Sequence, residues 1–236
     1  MVYEINCGRQ HFVFIGNYRH APNWDAVQYL AKTVWPQIKA QLPEAQCYVY
    51  GAYTPAKAQQ FNQPKSGFHI AGWARDAQTV LENARINLAP LRFGAGLKGK
   101  VFDAVQVGTP SMMTSIASEG IYTDEALCIA DDAQEFANKA VQLYQDRELW
   151  IRTQQGNAAH LNAQFNVNHY TAELIERIHS LRDNLSQHRA ANFWQAMINQ
   201  QQLKATQYMS QWIEAKQTIS QLRDPAHSLE IDSNDE

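Results

Sequence analysis

Residues Ile86–Pro110, INLAPLRFGAGLKGKVFDAVQVGTP, decide how this chain is read. The apolar run Ile86–Ala89 predicts a buried strand. A glycine-rich loop follows, with Arg92, Lys98 and Lys100 set beside Gly94, Gly96 and Gly99. From Lys98 to Val107 the apolar spacing predicts an amphipathic helix. Glycines let a backbone approach a ligand closely, and free N–H groups at a helix start favour anions. Lysines beside such a loop suit a diphosphate. The competing reading is a glycine-rich surface turn with its lysines in solvent.

Two well-known motifs come close and fail. Gly94, Gly96 and Gly99 spell G-x-G-x-x-G, with Glu119 downstream at the distance a dinucleotide fingerprint asks for. In that fingerprint the acid closes the next strand. Here the next predicted strand is Ser111–Thr114, and Glu119 lies beyond it. The loop also follows a late strand rather than the first, which disfavours a nicotinamide-dependent oxidoreductase. Gly94 to Lys100 nearly spells the phosphate loop G-x-x-x-x-G-K-[ST]. Val101 then stands where a hydroxyl must hold Mg²⁺.

Composition narrows the class. The chain has 236 residues, 45% of them apolar, enough for one large domain or a medium domain with an appendage. A net charge of −3 leaves no global basic field for nucleic acid. Cys7, Cys47 and Cys128 show no metal-type spacing, and the latter two sit in apolar runs expected to bury them. A reducing, cytoplasmic location fits. The opening MVYEINCGRQ lacks the apolar core of a signal peptide. No apolar run approaches the ~20 residues of a membrane span.

Strands are predicted at His11–Gly16, Gln46–Tyr50, Phe68–Ala71, Ile86–Ala89, Ser111–Thr114 and Leu127–Ala130. Helices are predicted at Trp24–Gln41, capped by Asn23 and kinked or shortened at Pro36, and at Pro55–Phe61, Asp76–Ala84, Lys98–Val107, Ala133–Tyr144 and Arg147–Asn162. Strands that alternate with helices imply a Rossmann-like parallel sheet with helices on both faces. Ligands of such sheets bind outside the carboxyl ends of the strands. Gly16, Gly51, Gly72 and the Gly94–Gly99 loop all fall there. After Val167 the pattern is helical. One helix runs to Leu181. A glutamine-rich segment, Ala190–Leu222, then carries Trp194, Ile198, Gln201, Ala205, Tyr208, Trp212, Ala215, Ile219 and Leu222 at heptad spacing. The chain is thus expected to divide into a sheet domain at 1–184, a helical extension at 185–224 and a disordered acidic tail at 225–236.

Five ordered blocks carry a resemblance: FVFIGNYRHAPNWDAV (Phe12–Val27), VYG (Val49–Gly51), IAGWARD (Ile70–Asp76), APLRFGAGLKGKVFDAVQVGTP (Ala89–Pro110) and TSIASEGI (Thr114–Ile121). Over Phe12–Arg182 the chain resembles the C-terminal, donor-binding domain of family 4 glycosyltransferases, retaining enzymes of GT-B architecture. The resemblance implies one half of a GT-B fold that binds a nucleotide-diphosphate sugar for hexosyl transfer in glycan biosynthesis. No metal cofactor is expected, since protein cations and helix dipoles neutralise the departing diphosphate in such enzymes. By position, Gly16, Asn17 and Arg19 form the first phosphate-side loop. Arg92, Gly94, Ala95, Gly96, Lys98 and Lys100 form the second, and either Lys98 or Lys100 meets the diphosphate. Such enzymes carry two acids, one on the loop and one on the helix. Asp103 matches the second, which meets the ribose. Ala95 replaces the first, which meets the sugar. Glu119 matches a block near the site.

The resemblance begins at the donor half, so the chain is expected to be half of a split enzyme whose acceptor half is a separate polypeptide, or a truncated enzyme, and the isolated chain is expected to be inactive. The heptad seam is expected to pack on its own domain, on that partner or on a second copy of the chain. The other function class is a non-catalytic nucleotide-binding or regulatory module of the same fold. His20, His69, His160, His169 and His179 have no ligand spacing. Asp25 reads as a first-turn helix acid. Trp24, Trp35 and Trp73 are expected in the core rather than against a base. Arg75–Asp76 lies near the nucleotide or marks an exposed helix start.

Overall fold

The structure, a computed structural model, describes residues 8–121 and 128–223. Cys7, Leu127 and the tail from 225 lie outside the described residues, as do the side chains of His169, Gln201 and Leu222. The chain forms two compact units, Met1–Asn166 and Val167–Glu236. The helix after Val167 therefore groups with the C-terminal unit, whereas the sequence reading carried the first domain to 184.

In the first unit, β1 (Gln10–Ile15), β2 (Cys47–Tyr50), β3 (Phe68–Gly72), β4 (Ala84–Ala89) and β5 (Ser111–Met113) make one parallel sheet in the order β3-β2-β1-β4-β5. Side chains alternate across it. Phe12 and Phe14 enter the larger core with Leu30, Ile38, Ile86 and Leu88. Val13, between them, enters a smaller core with Leu81, Ala84, Ala104 and Val107. Both faces are thus covered, as a parallel sheet requires.

The connection after β1 is α1 (Ala21–Tyr29), a π-helical stretch (Leu30–Val34) and α2 (Trp35–Gln41). Pro36 lacks a backbone donor, so an unbroken α-helix cannot form through it. The expected kink takes the form of a widened turn in which Trp35 N–H bonds Leu30 O, and the helix continues to Gln41. After β3, Asp76 caps α3 (Ala77–Asn83) by accepting from Gln78 N, so Asp76 marks a helix start. After β4 come α4 (Gly99–Gln106) and, beyond β5, the short α5 (Ser115–Ser118). The sixth predicted strand is not formed among the described residues. Only Ile129 bridges Met113 there. Then α6 (Ala133–Gln145) and α7 (Arg147–Phe165) close the unit. Trp150 Nε1 donates to Arg85 O, and Gln154 donates to Gly108 O, so α7 is pinned to the sheet.

The second unit holds α8 (Val167–Asp183), α9 (Leu185–Ala191) and α10 (Phe193–Arg223). The predicted Ala190–Leu222 helix is therefore interrupted at Asn192. On α10 the seam residues Trp194, Ile198, Tyr208, Trp212 and Ile219 are each more than half exposed. No described helix is long and apolar enough to cross a membrane.

Candidate functional site

β1 and β4 are neighbours, but the chain leaves them in opposite directions, toward β2 and toward β5. That reversal opens a crevice at their carboxyl ends, the place where parallel sheets bind ligands. α1 and α4 both begin there. At α4 the first N–H groups have no partner within the helix, whereas at α1 Pro22 has none to offer and Asn23 N–H bonds His20 O; neither start is capped by a side chain. A recess of about 170 Å³ lies between them, lined by His20, Asn23, Leu91, Ala95, Lys98 and Lys100 among others. Gly94 and Gly96 adopt φ of 140° and 72°, which only glycine takes without strain, and so shape the loop at its mouth.

Lys100 enters from the start of α4. Its Nζ donates to Asn23 Oδ1 at 2.6 Å and lies 4.3 Å from the centre of the Phe14 ring. No carboxylate among the described residues pairs with it. Burial disfavours the charged form, and the Lys100 ammonium is pulled down to about 7. Asn23 in turn donates from Nδ2 to Asn17 O at 3.0 Å. Gly16 makes room for that amide, since a Cβ there would stand 2.7 Å from Asn23 Cγ.

The other cations are engaged differently. Lys98 is buried, and its Nζ meets Glu119 Oε2 at 3.3 Å, with the carboxylate largely in solvent. Arg92 forms a two-pronged pair with Asp25, Nε to Oδ2 at 2.9 Å and Nη2 to Oδ1 at 2.5 Å, which favours its charged form. Its plane also lies over Tyr29. Arg19 stacks on the Tyr53 ring at 3.6 Å, and its backbone N–H is held by Asn17 Oδ1. Asp103 sits one helical turn after Lys100, exposed, its carboxyl held above the usual range by partial burial. Ala95 is exposed at the loop tip.

Several expectations need correction. Asn23 is not the helix cap. His20 occupies that position, and Asn23 lies inside α1 with its amide turned to the site. Asp25 is past the first turn and binds Arg92. Trp35 is buried and Trp24 half-buried against Tyr18 and Phe61, but Trp73 is 70% exposed. Cys47 and Cys128 are buried thiols, and burial pushes Cys128 up to about 11. Among the described residues no three His, Cys, Asp or Glu side chains are grouped as a metal would need. Sequence reasoning missed the roles of Asn23 and Asp25, yet one signal was present. Pro22 belongs in a first helical turn, so the cap must precede it and Asn23 must follow inside the helix.

Comparison with known proteins bears on the family and the fold. The family described as "Glycosyl transferases group 1" matches residues 9–146. Among solved structures, a TarM variant of S. aureus in complex with fondaparinux, alpha-GlcNAc-glycerol and UDP superposes with a TM-score of 0.62 at 11% identity, covering 75% of this chain and 37% of that one. The C-terminal domain of LpcC from Francisella tularensis, a group 1 family protein, gives 0.52 at 14% identity, covering 66% of this chain and 87% of that one. WaaG, a glycosyltransferase involved in lipopolysaccharide biosynthesis, gives 0.51 at 15% identity, with 66% and 44% covered. The chain thus spans less than half the length of TarM and WaaG. No curated protein sequence matches.

Proposed function

The chain belongs to the group 1 glycosyltransferases, and on that premise we propose that its sheet is a donor half that holds a nucleotide-diphosphate sugar at the β1/β4 crevice. The observation that carries this reading is Lys100: a cation drawn into the sheet end, oriented by a neutral amide, with no carboxylate among the described residues paired with it. A diphosphate supplies the missing charge. The uncapped start of α4 adds N–H donors for its oxygens. When the bond from sugar to diphosphate breaks, negative charge grows on the departing phosphate, and a fixed ammonium and helix start stabilise that charge without reorganising. Asp103, one turn along the same helix, is assigned to the ribose. Arg19 and Arg92, held by Tyr53 and Asp25, are further cations on the loops that leave β1 and β4.

Val101, fully buried, supplies no hydroxyl of the phosphate-loop kind for Mg²⁺, and this reading assigns the charge of the diphosphate to Lys100 and the start of α4. The acceptor is assigned to a second half that this sheet does not contain. The exposed seam of α10 is the candidate surface for that half or for another copy of the chain. Calorimetric titration with UDP, GDP and ADP, with and without EDTA, tests the donor reading, and UDP is tried first because the TarM structure holds it. Binding that survives EDTA supports it. Absence of binding to all three, or strict dependence on Mg²⁺, counts against it. Sugar transfer by the purified chain alone would overturn the assignment of the acceptor elsewhere.

A further inference from the structure

We propose that Asn23 is a positioning residue that aims Lys100 at the diphosphate without neutralising it, an inference that rests on the diphosphate reading of the recess. One amide makes both contacts. Oδ1 accepts from Lys100 Nζ at 2.6 Å, and Nδ2 donates to Asn17 O at 3.0 Å. The first contact fixes the cation that arrives from β4. The second fixes the loop that leaves β1. The side chain is buried, and the missing Cβ of Gly16 leaves it the space it occupies. Asn23 therefore sets the relation between the two loops that meet where the chain reverses direction.

The choice of an amide matters chemically. A carboxylate at this position would cancel the ammonium charge and leave the recess with little attraction for an anion. The amide oxygen occupies one N–H of the ammonium and none of its charge, and the remaining N–H groups stay available to phosphate oxygens. The Phe14 ring beneath Nζ attracts the cation in the same uncharged way. Lys98 shows the contrast, since Glu119 already meets it.

Protonation offers a readout that a purely structural role would not move. Burial brings Lys100 down to about 7. At pH 8 most of the free ammonium has lost its proton, and an arriving diphosphate restores it. The other titratable groups lining the recess are His20 and Lys98, the latter held by Glu119. Binding of UDP, whose diphosphate is fully ionised at pH 8, is therefore expected to take up protons there.

The test is calorimetric titration of UDP and of inorganic pyrophosphate into the full chain at pH 8, in two buffers of different ionisation enthalpy. The parent, Asn23→Ala and Asn23→Asp are compared, with melting curves to confirm that each is folded. Asn23→Ala should weaken binding about tenfold, the scale of one hydrogen bond to a charged group. Asn23→Asp should pair with Lys100, keep it protonated at pH 8, and so lose both affinity and proton uptake while the chain stays folded. Parent-like affinity and proton uptake in folded Asn23→Asp overturn the assignment of Asn23 alone. A parent that binds neither UDP nor pyrophosphate overturns the diphosphate reading, and the assignment falls with it.

Discussion

Lys98 and Lys100 lie at the two edges of the same turn, yet they face opposite surroundings. On the Lys98 side, the segment after α5 brings Glu119 to the ammonium, and the charge is met within the protein. On the Lys100 side, the start of α1 brings the Asn23 amide and β1 brings the Phe14 ring, and no carboxylate among the described residues pairs with the ammonium. The contrast teaches how a fold separates a structural cation from a reserved one. A buried charge is tolerated when it is paired, and an unpaired one loses its proton or waits for a ligand. One turn of helix start thus yields a paired cation, a strut, on one side and an open one, the proposed anion seat, on the other.

The largest expected effect is on that seat. Lys100→Ala should weaken UDP binding by about ten- to a hundredfold, as loss of a hydrogen bond to a charged group implies, measured by calorimetry. Equal losses in Lys98→Ala would erase the contrast, because both lysines would then face the ligand.

The seat should also show itself through pH. The Lys100 ammonium lies near 7 in the folded chain and at its ordinary 10.5 when unfolded. The unfolded state therefore binds more protons between those values, and this group makes stability rise as pH increases from about 7 toward 10.5. Diphosphate affinity should run the other way and fall over the same interval as the free ammonium deprotonates. In Lys100→Met the stability rise should be smaller and stability at neutral pH higher, followed by chemical denaturation at several pH values. A parent whose stability shows no upward contribution from this lysine would mean that it is solvated.

Gly16→Ala should destabilise the chain by about 1–3 kcal/mol, the usual cost of forcing an extra carbon into a filled space. The Cβ would press on Asn23, so adding Asn23→Ala should recover part of the loss. Additive losses in the double-mutant cycle would place the strain elsewhere. The smallest effect belongs to the strut. Glu119 is mostly in solvent, so Glu119→Gln should change stability by less than about 1 kcal/mol and leave UDP affinity near that of the parent. A large loss of binding would move Glu119 from the strut to the site.

Much of this was legible in order along the chain. The strands up to β5 were read within a residue or two, because apolar runs ending at glycine are a local signal of buried parallel strands. The sixth, predicted at Leu127–Ala130, begins outside the described residues, and among those described its pairing is one bridge, in which Met113 N–H donates to Cys128 O and Ala130 N–H donates to Met113 O. Asn23 was misread as a cap because short polar residues before an apolar helix usually are caps, while its true partners lie in the Asn17 loop and at Lys100.

By itself the sequence determined the parallel sheet, its helical cover and the glycine-rich turn, because periodicity and backbone permissiveness act between near neighbours. The ordered blocks determined the family. Only the tertiary structure decided which lysine is paired and which is open. It also decided that Asp25 holds Arg92, that Asn23 joins the two loops, and that the α10 seam stands exposed. The reason is physical: whether a charge is met or left open depends on groups that the chain reversal between β1 and β4 brings together from distant positions, and no local pattern records that approach.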